Sequence, residues 1–454
     1  MGSEMFKELE PTRLLFRCAV PVAVTSVFGA LYSIADGFFV GRFIGGDALA
    51  AVNLIMPIVM IAEALSNMVA TGASVNISML LGAAKREEAS RVFSFSVLFI
   101  VASSCVVGAL GLVFARPFVE LVAPGATPEA IGYGVEYLSV HSAFAPLVLV
   151  YFATDNYLRV CGKQKTCMIV NIATQMANIA ATLVLVALLH QGVMAAALAS
   201  CGSIAAGSIV TLAMFRKGRL DVYYTKPRVQ PAWFLRIVAN GASEFFSSIA
   251  ASVMSVVFNL FLLRFGGTTA VAAFAVVMYV NEVVGMLNFG ISDSMQPAIS
   301  HCYGAGLVDR TKALFKRVAA ASAITSAVAL ALMLLAGPSL AAVFVKPGDE
   351  GLLTMSVTAI RIFSFSYLVG WVDSSFSSFF TALDRPARSM AAAAFGTLVF
   401  PIASLFLLTP VLGLAGIWLT APLSALASAA LALALAKTMK FDAPHGGDAK
   451  ELPA

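Results

Sequence analysis

Five carboxylates stand in this sequence where a carboxylate is costly. Asp36 interrupts SIADGFFVG, Glu63 MIAEALS, Glu244 GASEFFS, Glu282 YVNEVVG and Asp373 GWVDSSF, each inside a largely apolar run. Burying the ionised form there is unfavourable unless a proton, a metal cation or a basic side chain neutralises it. No lysine lies deep in such a run, and Arg361 is the one arginine that does. Ion pairing within the chain therefore accounts for few of the five, and binding a cation or sharing a proton suits the rest. Asp155 and Asp293 lie nearer the ends of their runs, where water reaches them. Hydrolytic chemistry finds no footing. The four histidines (His141, His190, His301, His445) are scattered, no HExxH or GxGD motif occurs, and the six cysteines form no CxxC pair.

The elements that must hold these acids are membrane helices. Of 454 residues, 60% are hydrophobic and 12% charged, against roughly 25% charged in soluble proteins. Twelve spans of the length a bilayer requires are expected at 14–40, 48–81, 92–114, 131–158, 167–189, 193–215, 233–263, 270–301, 318–336, 351–382, 389–409 and 412–436. An acid at the centre of such a helix costs roughly 2.5–3.5 kcal/mol, so it faces a cavity or a partner. With the N-terminus inside, 24 of the 29 Lys and Arg fall on the inner face; Arg42, Arg116, Arg264 and Lys346 fall on the outer. That asymmetry puts both termini in the cytoplasm. It also makes the basic loops topological signals, with no nucleic-acid partner.

The sequence repeats itself at an offset of 222 residues. Residues 48–93 align without gaps on 270–315, matching Ala48/Ala270, Met56/Met278, Ser78/Ser300, Gly82/Gly304 and Phe93/Phe315. Six spans per half give both halves the same sense in the membrane, with a substrate site expected between them. The expected organisation is an N-terminal lobe over 1–215, a cytoplasmic linker over 216–232, a C-terminal lobe over 233–437 and a flexible cytoplasmic tail over 438–454. The fold class is all-α, in two pseudo-symmetric six-helix lobes.

ADGFFVGRFIGGDALAA (35–51), GVMAAALAS (192–200) and GISDSMQPAISHCYGAG (290–306) resemble the multidrug and toxic compound extrusion (MATE) family, and its MepA-like branch within the MOP flippase superfamily. The resemblance implies secondary active efflux, with protons or sodium ions entering as amphiphilic drugs leave. It makes Asp36 the coupling acid of the N-terminal lobe, with Tyr137, Asn178 and Ser200 as partners. Many members carry a second aspartate where this chain has Thr182, which removes one acceptor. Asp373 resembles an aspartate of the sodium-coupled branch, while the seventh-helix glutamate of that branch is unmatched, Ala251 standing in its place. Glu244, Glu282 and Asp373 are expected to form an acidic cavity in the C-terminal lobe, and Glu63 is a further intramembrane acid. Pro21 matches the family's first-helix proline; lacking an N–H and clashing with the preceding turn, it gives that helix a bending point.

The expected function is export of amphiphilic, cationic organic compounds across a bacterial cell membrane, by a monomer and without enzymatic turnover. No cofactor is expected beyond H⁺ or Na⁺ as coupling ion, and no other metal. The alternatives are a flippase for a lipid-linked saccharide or other amphiphile, and an intramembrane enzyme. The acidic character of the deep charges argues against a pyrophosphate-bearing substrate.

Overall fold

The computed structural model describes residues 2–122, 127–227, 231–345 and 348–439. Arg228, Lys346, and the expected tail from Lys440 onward, with His445 and Lys450, lie outside the described residues. Among those described there is no strand. The helices are α1 Met5–Glu8, α2 Pro11–Phe39, α3 Gly46–Gly82, α4 Arg86–Val113, α5 Ala115–Val122, α6 Pro128–Val160, α7 Gln164–Thr182 and α8 Val193–Met214. They continue with α9 Pro231–Gly304, α10 Val308–Phe344, α11 Glu350–Ser364, α12 Tyr367–Ala382, α13 Pro386–Ala394, α14 Phe400–Leu412 and α15 Leu414–Lys437. Short π-helical turns extend α2 (Val40–Ile44), extend α7 (Leu183–Leu188) and join α13 to α14 (Phe395–Val399).

Among the described residues, ten helical stretches are long and apolar enough to cross a bilayer, and eleven if the bent pair α11–α12 counts as one. α9 has 74 residues, about 110 Å at 1.5 Å per residue, against a hydrocarbon layer about 30 Å thick. It is two helices, broken at Gly267, where φ 65° and ψ −164° leave helical space; only glycine holds that conformation without strain. The break falls between the expected spans 233–263 and 270–301. The stretch expected as one span over 351–382 is bent by 53°. There Phe365 N and Ser366 N bond to the carbonyls of Ile362 and Phe363, three residues back, and tighten the turn.

Burial is inverted relative to a soluble protein. Leu335 is 83% exposed and Val411 80%, whereas Ser78, Ser90, Thr182, Thr311 and Ser389 are fully enclosed. Acyl chains solvate the first group; in the second, Ser90, Thr182 and Thr311 donate to groups four residues back in the chain and Ser389 bonds to Thr381 and Ser243 of other helices.

The chain divides into two compact units, one made of Met1–Glu8 and Val20–Gly241, the other of Leu9–Ala19 and Ala242–Ala454. Residues 9–19 and 231–241 are equivalents under the 222-residue repeat, and each set belongs to the unit built mainly from the other half. In α2 the change of unit falls between Ala19 and Val20, just before Pro21.

In the first unit Phe93 stacks on Phe215 (4.5 Å) and meets Tyr157 edge-on (5.4 Å) within a buried core. α3 and the start of α9 approach backbone to backbone: a Cβ on Gly72 would lie 2.0 Å from the Ile237 carbonyl oxygen, and one on Gly241 1.7 Å from that of Met68. The expected linker begins as part of this unit. Leu220 and Val222 are buried, and the amides of Tyr223 and Thr225 bond to Ser90 Oγ and Ser94 Oγ. The N-terminal segment docks on it. Ser3 N donates to Asp221 Oδ2 at 2.7 Å, Arg86 bonds to the Asp221 backbone and carboxylate, and Met5 and Phe6 are fully buried. Lys7 Nζ donates to the Gly82 carbonyl at the end of α3. In the second unit, Arg388 caps α15 through the carbonyls of Leu435 and Thr438, and Arg310 bonds to the Leu9 carbonyl.

Candidate functional site

In the first unit, four helices besides α2 send polar side chains towards Asp36. Tyr32 and Asp36 are four residues apart and share one face of α2. Ser200, Asp36, Cys201 and Glu63 neighbour the Tyr32 side chain. Tyr137, buried in α6, has Tyr32, Asp36, Cys201 and Glu63 around it. Asn178 Nδ2 donates to Ser200 Oγ at 2.9 Å, and Thr182 Oγ1 donates to Asn178 Oδ1 at 3.5 Å. Asp36, Tyr137, Asn178, Thr182 and Ser200 therefore gather in one neighbourhood, and Glu63 of α3 joins them. Asp36 Oδ1 is buried with no hydrogen-bond partner among the described residues. Hydroxyls and amides surround this carboxylate without supplying a compensating charge. A proton or a small monovalent cation would supply it.

Val40, Ala48, Val52, Val186, Val193 and Ala196 pack with Tyr137 into an apolar cluster bordering the site. Two of the three π-helical turns begin close by, four residues after Asp36 and immediately after Thr182. Such turns shift backbone register and often mark functional sites.

The second unit holds a cavity of about 500 Å³. Asp373 lines it, together with Asn281, Asn288, Tyr367, Trp371 and the stacked rings of Phe258 and Phe274. Tyr367 donates to Asn281 Oδ1 at 3.2 Å and Asn288 to Ser326 Oγ at 3.0 Å. Asp373 Oδ1, like Asp36 Oδ1, is buried and unpartnered among the described residues. Gly396, in the third π-helical turn, makes room for this carboxylate: a Cβ there would stand 2.5 Å from Asp373 Oδ2.

The three acids expected to share this cavity do not. Ala251 lines it, but Glu244 lies seven residues earlier, about 10 Å along the helix, with Asp293 as its charged neighbour. Glu282 follows the lining residue Asn281, and the helical rotation of about 100° per residue turns its side chain to an exposed position. Asp155 is accounted for by structure: Arg159 pairs with it at 2.6 Å and Asn171 donates to it at 2.9 Å. Among the described residues no three His, Cys, Asp or Glu converge as a metal site.

Sequence reasoning missed Tyr32, whose i−4 spacing from Asp36 was the available signal. It also missed the amide and aromatic lining around Asp373. Asn281 neighbours Glu282, yet nothing in the sequence says which of the two faces inward.

A model of the MatE family matches residues 21–184 and 245–407. The chain is 26% identical over 418 residues to the multidrug export protein MepA of Staphylococcus haemolyticus (strain JCSC1435), covering 91% of this chain and 90% of the relative. It is 24% identical over 420 residues to the protein of that name in Staphylococcus aureus (strain NCTC 8325 / PS 47), with coverage of 91% and 90%. The outward-facing structure of a multidrug resistance MATE family transporter of the MOP superfamily has the same fold. Its TM-score is 0.85 at 21% identity, covering 96% of this chain and 98% of that one. With one matched stretch in each half and most of the chain covered, the protein is a multi-span membrane protein that belongs to the MatE family, the MATE multidrug efflux transporters.

Proposed function

We propose that this protein exports amphiphilic, cationic organic compounds by secondary antiport, with H⁺ or Na⁺ entering as the drug leaves. Twelve spans carry the exchange, counting α9 as two helices and α11–α12 as one, with both termini in the cytoplasm. The observation that carries the reading is the buried, unpartnered Asp36 carboxylate inside a ring of Tyr32, Tyr137, Asn178 and Ser200. An acid so placed is stable only when neutralised. A coupling cation and a cationic drug can then compete to satisfy it, so occupancy by one drives departure of the other.

Movement follows from the first helix. Pro21 leaves one carbonyl of the preceding turn without its helical partner, and α2 passes from one unit to the other beside it. Thr25 and Ser26 bond back to the carbonyls of Pro21 and Val22, a pattern that bends helices. Neutralising Asp36 changes the free energy of the helix end beyond this point, and bending at Pro21 transmits the change. Asp373 in its own cavity is a second cation site of the same logic.

The test is drug efflux from proteoliposomes, with the pH gradient and the sodium gradient collapsed separately. Collapse of one gradient should abolish uphill efflux, and Asp36→Asn should lower exchange at least tenfold. Full exchange by Asp36→Asn, or uphill efflux that survives loss of both gradients, would defeat the reading.

A further inference from the structure

The antiport reading gives no task to the intramembrane arginine. Arg361 belongs to α11, eleven residues beyond Glu350, or about 16 Å along the axis. Its side chain is exposed, and it enters none of the ion pairs among the described residues. A guanidinium at such depth costs roughly 2.5–3.5 kcal/mol on insertion scales, a cost that an anion from outside the chain would offset.

The surroundings say what kind of anion. Thr354, Thr358, Arg361 and Phe365 are all exposed, and their spacing of three to four residues sets them in one stripe along α11. Thr354 and Thr358 also line an open groove of about 640 Å³, with Met355, Ile362 and Trp418 as apolar wall and Glu350 at one end. Thr358 donates its hydroxyl to the Thr354 carbonyl, so the guanidinium is the charged donor along the stripe and the Thr354 hydroxyl a neutral one beside it. An arginine stem bends along apolar surface and carries its head several ångströms towards the interface, which here brings it beside the groove. Below it, Phe365 and Leu368 are 52% and 60% exposed, the mark of contact with acyl chains. That layer lies on the far side of Arg361 from Glu350, so an occupant that meets both the guanidinium and the apolar wall needs an anionic head and apolar tails. A lipid already has its tails in that layer.

We infer that the groove between α11 and α15 seats one anionic phospholipid. Arg361 takes the phosphate through the paired N–H groups of its planar fork, and one acyl chain lies against Met355, Ile362 and Trp418. Glu350 stands about a Debye length beyond the guanidinium's reach, so it weakens the attraction without cancelling it.

Trp418, 3% exposed, borders the groove by its edge and reports on it at short range. In a Trp233→Phe/Trp371→Phe background it is the sole tryptophan, since the chain has three, and lipids brominated on the acyl chain quench a tryptophan that lies close to them. In nanodiscs, brominated phosphatidylglycerol at low mole fraction should quench Trp418 at least fivefold more effectively than brominated phosphatidylcholine. Arg361→Gln should remove the preference, and Arg361→Lys, which keeps the charge, should keep most of it. Equal quenching by the two lipids with Arg361 present, or a preference that survives Arg361→Gln, overturns the inference. The readout is lipid contact and not transport, so it fails or succeeds independently of the antiport reading.

Discussion

At the scale of single residues, the decisive geometry surrounds two carboxylate oxygens. Gly396 bears on one of them. A methyl group there would overlap Asp373 Oδ2, so Gly396→Ala should push the carboxylate out of its place at a cost of about 1–3 kcal/mol. The variant should fold, as its melting temperature will show, yet lose cation-driven exchange to the extent that Asp373→Asn does. Wild-type exchange in Gly396→Ala would mean that Asp373 has no fixed role. In the first unit, Asn178→Ala removes the donor to Ser200 and the acceptor for Thr182, both buried. A loss of about 1–3 kcal/mol in stability is expected from the orphaned groups. An unchanged melting temperature would show that water replaces the amide. How much of this the sequence carried depends on charge. Asp36 and Asp373 were legible because an acid in an apolar run announces itself. Tyr32, Asn281 and Gly396 were not, because neutral polar residues and glycines occur throughout membrane helices and only tertiary packing decides which converge. Glu282 and Glu244 announced themselves equally well, and their helix faces and heights separate them from Asp373.

At the scale of elements, the N-terminal segment is the least foreseeable feature. Nothing in GSEMFKE signals that Ser3 would bond to Asp221, more than two hundred residues away. Its docking covers the loop at Cys161 and Gly162. Gly2 and Met5 lie against Gly162, and burial pushes the Cys161 thiol up to about 12. A thiol that titrates so high stays protonated at pH 8 and is a poor nucleophile. Cys161 should therefore resist maleimide in the intact protein. Asp221→Ala, which removes the anchor of Ser3, should let the thiol fall back towards its ordinary value and speed labelling at pH 8 at least tenfold. Equal labelling rates would show that Asp221 does not hold the segment down. The π-helical turns were equally silent in the sequence, since they extend ordinary helical runs without any change of composition. By contrast, most of the long apolar helices were readable to within about six residues at each end, because hydrophobic length and Gly or Pro at the ends act locally; the expected 318–336 is the exception, its helix running over Val308–Phe344. The approach of α3 to α9 is a further element-scale constraint: Gly72→Ala sets a methyl against backbone, which cannot rotate away, so the melting temperature should drop more than in Asn178→Ala.

At the scale of the whole molecule, orientation follows from the placement of charge. Single cysteines in a cysteine-free background test it. Lys163→Cys, between α6 and α7, should react with an impermeant reagent only after cells are permeabilised. Arg116→Cys, beyond α4, should react in intact cells. The opposite pattern would invert the topology and with it the direction of transport. The offset of 222 residues was visible in the sequence, and it predicted a boundary in the polar stretch 216–232. By contacts, residues 231–241 pack with the first unit and residues 9–19 with the second.

That reciprocal loan makes the two halves mutually dependent. A polypeptide severed in the stretch joining α8 to α9 yields two fragments, each carrying the opening turns of a helix that complete the other. Neither fragment can finish its own interior, so they should mature only when synthesised together.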